Sequence, residues 1–92
     1  MTSVTISGGT EKQNAWATTI ANQWLAQVEK EIATVQLRQA AGDGLVAYAA
    51  ALQTARNQLL EGLSKVTAKQ VIDLHTSKLN MADRLLTQAR RA

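Results

Sequence analysis

His75 is the single histidine of the chain, three residues after Ile72 and four before Leu79. Steps of three and four place it on the apolar face of a helix. General acid–base work would need a carboxylate to orient the ring. Asp73 is two residues away and points to a different helix face. The spacing therefore predicts a partly buried histidine, hydrogen-bonded at a helix interface. A pH-sensitive contact is the second reading, because imidazole titrates near neutrality. The carboxylates Glu11, Glu29, Glu31, Asp43, Glu61, Asp73 and Asp83 are scattered, without the Glu-x-x-His pattern of a metal-binding bundle. Asp43, between Gly42 and Gly44, lacks the further ligands of a calcium loop and reads as a helix stop followed by an N-cap. Gly8-Gly9 ahead of a helix could seat an anion on free amides, but no Lys-Ser/Thr pair follows. The chain has no cysteine, which excludes disulfides, thiolate zinc sites and thiol catalysis. These patterns predict a protein that is not an enzyme and carries no cofactor or metal.

Binding chemistry is better represented. Trp16 and Trp24 are eight residues apart with Ile20 between them, so they share a helix face, and Gln27 follows. At least one tryptophan is expected in the core. An exposed one is an interface anchor, since tryptophan is enriched among residues that dominate binding energy. Trp16, Ile20, Trp24 and Gln27 are the candidate partner-binding set. The basic residues Lys65, Lys69, Lys78, Arg84, Arg90 and Arg91 concentrate in the last third, and Arg84, Gln88 and Arg91 share a face. They read first as a solvated face. Lys69, Arg84, Arg90 and Arg91 are the candidate phosphate contacts.

Three helices must position these residues. Thr10 and Gln13 have the spacing of a capping box, and Glu11 suits the positive first turn. Trp16, Ile20, Leu25, Val28, Ile32 and Val35 carry the helical pattern to about Ala41, where Gly42-Asp43-Gly44 stops it. A second helix follows from Leu45 to about Glu61, with Asp43 as N-cap and Gly62 as the stop. Thr67 and Gln70 form a second capping box, flanked by a Val66–Val71 staple. From there one helix is expected to the C-terminus along Ile72, His75, Leu79, Ala82, Leu86 and Ala89. The expectation is all-α: an antiparallel three-helix bundle over residues 10–92 with a long first helix, behind a flexible lead-in over residues 1–9. The first helix outreaches the second, so it must either bend or break, or leave one end clear of its neighbours, and an unmatched apolar end is where a dimer contact or a partner is expected.

The 92 residues suffice for one small domain. Hydrophobic residues make up 46%, which argues against wholesale disorder. The net charge of +3 is mild, short of a dedicated nucleic-acid arm. The first ten residues lack the basic start and apolar core of a signal peptide, and no apolar run spans a bilayer, so a cytoplasmic protein without membrane contact is expected.

The string from Gly8 to Ile20, with Gly9, Thr10, Glu11, Lys12, Gln13, Trp16, Ala17 and Ile20, resembles a start motif of small bacterial, plasmid and phage-borne helical proteins. In that group a second element, Ser/Thr-Ala-Lys with an aromatic pair and Ile-Asp, often follows. Thr67-Ala68-Lys69-Gln70-Val71-Ile72-Asp73 is similar, with Gln70 and Val71 in place of the aromatic pair. The resemblance implies a setting on mobile genetic elements. The expected function is a non-catalytic protein–protein interaction module. In that setting it would be an inhibitor or regulator of a host system, such as an anti-CRISPR. The alternatives are a small nucleic-acid-binding accessory protein using the basic third helix and a self-assembling structural helical protein. A protein partner is expected, a homodimer is the next option, and nucleic acid comes after both.

Overall fold

Both capping boxes form. In the computed structural model, which describes residues 3–42 and 44–91, Thr10 Oγ1 accepts the Gln13 amide at 3.2 Å and Gln13 Oε1 accepts the Thr10 amide at 3.0 Å. Two of the amides that a helix start leaves without intrahelical partners are thereby satisfied. Helix α1 (Glu11–Ala40) follows without interruption. It stops as expected at the glycines: Gly42 adopts φ 93°, and its amide turns back to the Gln39 carbonyl at 3.0 Å. Helix α2 (Val46–Lys65) begins one residue after the predicted start. Its N-cap is Leu45, at φ 51° and with no side-chain cap bond, in place of the expected Asp43, which itself lies outside the described residues.

Gly62 does not end α2. The helix passes through it for three more residues and brings Leu63 into the core. Burying a leucine is worth about 1.5–3 kcal/mol, more than the roughly 1 kcal/mol that an interior glycine costs. Gly62 also admits a close neighbour: a Cβ there would lie 3.1 Å from Met81 Cε.

The predicted third helix is two helices among the described residues, α3 (Ala68–Thr76) and α4 (Met81–Arg90). At the end of α3, the Leu79 amide reaches the Leu74 carbonyl at 2.9 Å and the Lys78 amide the His75 carbonyl at 3.0 Å. Those paired bonds make a Schellman turn, which needs a left-handed residue between them. Lys78 supplies it at φ 60°, at a cost of about 1–2 kcal/mol relative to the right-handed form. Asn80 then caps α4, its Oδ1 accepting the Ala82 and Asp83 amides at 2.8 and 3.2 Å. The break is invisible to a reading based on glycine and proline. Asn80 with Asp83 three residues later is the start signal that marks it.

The expectation of a flexible lead-in meets a different finding at residues 4–9. This extended segment straps α1. Val4 exchanges two hydrogen bonds with the Asn22 side chain, at 2.9 and 3.0 Å, and the Ile6 amide donates to Thr18 Oγ1 at 2.9 Å. Ile6 is 2% exposed and belongs to the core. The Ser7 carbonyl accepts the Ala68 amide at 2.9 Å, joining the strap to the first turn of α3. Gly9 suits the close approach there, because a Cβ would crowd Ala68 Cβ at 3.1 Å and the Gln13 Oε1 of the capping box at 2.7 Å.

The helices pack around α1, which touches α2, α3 and α4; α2 also packs on α4 but not on α3. Gln39 and Ala49 line one groove between α1 and α2, and Ala51 and Ala89 another between α2 and α4. With Gly62 beside Met81, this makes α2 antiparallel to both neighbours. The core is apolar throughout, with Trp24, Leu25, Val28, Leu52, Leu59 and Val71 at its centre. The whole measures 48 × 24 × 19 Å. Leu37, near the end of α1, and Val46, at the start of α2, are 74% and 73% exposed.

Candidate interaction surface

The helix α1 carries an apolar stripe bounded by two edges. At 100° per residue, Trp16 lies about 80° around the helix from Trp24. That rotation separates their fates. Trp24 is 4% exposed and packs in the core, and Ile20 is buried beside it. Trp16 is 48% exposed at the stripe's edge. Its ring stands edge-on to the His75 ring of α3, with centroids 6.0 Å apart and planes at 84°. This T-shaped arrangement sets the positive edge of one ring against the face of the other. His75 itself is exposed, not partly buried as its spacing predicts, because α3 ends one residue later and the apolar seam is interrupted there.

Gln27 is engaged within the fold. Its amide nitrogen donates to Asp83 Oδ1 and its carbonyl oxygen accepts from Asn80 Nδ2 at 3.1 Å. It latches the first turn of α4 to α1. Of the four candidate partner-binding residues, the structure therefore leaves Trp16 accessible, encloses Ile20 and Trp24, and ties Gln27 to α4.

The candidate phosphate contacts divide in the same way. Arg84 and Arg91 line one shallow depression of about 480 Å³ on the outer side of α4, joined by Lys78 and by Gln88. Arg90 is not part of that depression; its positive charge acts on the Tyr48 hydroxyl. That hydroxyl donates to Glu31 Oε1 at 2.8 Å. Burial raises the Tyr48 pKa above its usual value and the Glu31 carboxylate raises it further, with Arg90 pulling the other way. Lys69 is exposed on α3. Elsewhere, Arg56 pairs with Glu29 at 3.3 Å, and Lys65 pairs with Glu61 at 2.9 Å and lowers its pKa.

Seen residue by residue, most of the start motif serves folding. Thr10 and Gln13 cap α1, Gly9 admits α3, and Ala17 and Ile20 are core. Of its two large apolar side chains, the core encloses Ile20 and leaves Trp16 half exposed. Among the described residues, no group of three or more His, Cys, Asp or Glu side chains is placed to hold a metal ion. No helix among them is long and apolar enough to cross a membrane. No family model matches the chain, and neither a curated protein nor a solved structure matches it.

Proposed function

We propose that this chain is a non-catalytic protein-binding module whose contact is centred on Trp16, with His75 against its ring. The observation that carries the reading is the half-exposed Trp16 in a chain with only three aromatic residues. Tryptophan is among the residue types that most often dominate an interface, and a single large anchor can supply 2 kcal/mol or more, about thirtyfold in affinity. The His75 ring contact and the rigid α1 backbone hold that anchor in place before binding, which lowers the entropy lost on association. Joined to the resemblance of the Gly9–Ile20 string to mobile-element proteins, the concrete form is an inhibitor that occludes a surface of a host system, such as an anti-CRISPR. Occlusion needs no active site.

The test is capture of partners by the tagged full chain from nuclease-treated bacterial lysate, with Trp16→Ala run in parallel. A discrete protein held by the parent and weakened about thirtyfold or more in the folded Trp16→Ala variant is the expected result. Equal capture by both chains, or no discrete protein held from the treated lysate, would overturn the reading.

A further inference from the structure

We propose that the outer face of α4, together with Lys78 from the α3–α4 turn, docks the phosphate backbone of a nucleic acid. This site is separate from the Trp16 surface and does not depend on it.

Charge is unevenly distributed along the chain. Residues 62–92 hold six of the ten basic and two of the seven acidic side chains, a net charge of +4, against −1 for residues 1–61. The cations Arg56 and Lys65 are engaged in ion pairs, with Glu29 and Glu61. Lys78, Arg84 and Arg91 are not. All three are exposed, they line the same depression, and none forms an ion pair or hydrogen bond through its side chain with another described residue. Asp83, the one carboxylate in the depression, accepts from the Gln27 amide and is drawn toward α1.

Lys78 supplies an independent observation. It occupies the left-handed position of the Schellman turn, where glycine fits without strain. The lysine at that position places a cation beside Arg84 and Arg91 against the preference of the backbone. Strain of this kind clusters at functional positions.

The form of the surface selects the ligand. The cations follow the helix, with Arg84 and Arg91 about 10 Å apart along its axis and Lys78 before them. Gln88 between them offers a side-chain amide of the sort that contacts phosphate oxygens. The depression is open and shallow, and Leu79 is its one large exposed apolar side chain. That is too little apolar surface to insert into lipid or to seat a hydrophobic anchor of a protein. A linear polyanion meets all three cations at once.

Fluorescence anisotropy with labelled single- and double-stranded oligonucleotides of about 20 nucleotides tests the proposal on the full chain. Three phosphate contacts predict a log–log salt slope of about −2.7, roughly a fortyfold loss between about 50 and 200 mM salt. Arg84→Gln and Arg91→Gln should each weaken binding close to tenfold at about 0.1 M salt. Lys78→Gly should do the same while leaving the thermal midpoint unchanged or raised. Trp16→Ala and Lys69→Gln should bind like the parent. Absence of binding at low salt would overturn the proposal. So would parent-like affinity in the folded triple variant, or binding to phosphatidylserine vesicles without binding to oligonucleotides. If the triple variant fails to fold, the three single variants decide by the same criterion.

Discussion

The two edges of the apolar stripe on α1 are finished differently. On one edge, Thr18 and Asn22 hold the strap of residues 4–9, and Ile6 closes the core beneath it. On the other edge the stripe ends at Trp16, which stays half exposed beside the His75 ring. The same helix therefore shows what a sealed edge and an open edge look like within about three turns. A sealed edge uses short polar side chains that satisfy the backbone of a passing segment. An open edge leaves a large ring half in water.

The largest test of this contrast is the pair of tryptophans. Trp24→Ala should cost about 3–5 kcal/mol, the range for a large buried ring. Trp16→Ala should cost less than about 1 kcal/mol, as a half-exposed site without a core role. Urea unfolding measures both, and equal losses would erase the distinction between the edges. A smaller effect tests the sealed edge itself. Ile6→Ala should destabilise by about 2–4 kcal/mol and release the strap, read as lost hydrogen-exchange protection at the Val4 and Ile6 amides. Asn22→Ala should give about 1–2 kcal/mol through its two bonds to Val4. Thr19 bonds only its own helix, at the Ala15 carbonyl, and Thr19→Ala should change stability by less than about 0.5 kcal/mol. If Ile6→Ala is silent, the strap is an ornament of the surface and both edges are open.

The smallest effect lies at the other end of α1, where Tyr48 donates to Glu31. Burial, followed by the Glu31 carboxylate, raises the pKa of the Tyr48 hydroxyl in the folded state. Above the ordinary tyrosine pKa of about 10, the unfolded chain loses this proton while the folded chain still holds it. The contribution is therefore complete below that pH and declines as pH rises through the folded value. Tyr48→Phe should flatten part of the fall in urea midpoint between about pH 9 and 11. An identical pH profile in the variant would show that the contact does not couple to folding.

Much of the fold can be read from local chemistry. Thr10 with Gln13 and Thr67 with Gln70 start helices where their spacing says they should, because a capping box is completed within four residues. The glycines after Ala41 stop α1 for a similarly local reason. The site was less legible. Periodicity placed Trp16 and Trp24 on one stripe, yet eight residues leave enough rotation to put one in the core and the other at its margin. Gln27 looked like a free polar neighbour of the tryptophans and is bonded to Asn80 and Asp83, more than fifty residues away. Lys78 carried no sign of a turn, since a left-handed lysine is written like any other lysine.

The sequence alone determined the all-helical class, both capped starts and the end of α1, because each depends on neighbours a few bonds apart. Tertiary packing decided the rest. It carried α2 through Gly62 because Leu63 had a core to enter. It drew the leading segment against α1 because Thr18 and Asn22 satisfied its backbone. It divided the last helix at Lys78, where the Schellman turn and the Asn80 cap let α3 lie on the first half of α1 and α4 lie along α2. Such choices rest on burial and hydrogen bonds between distant residues, and these exist only once the chain has folded.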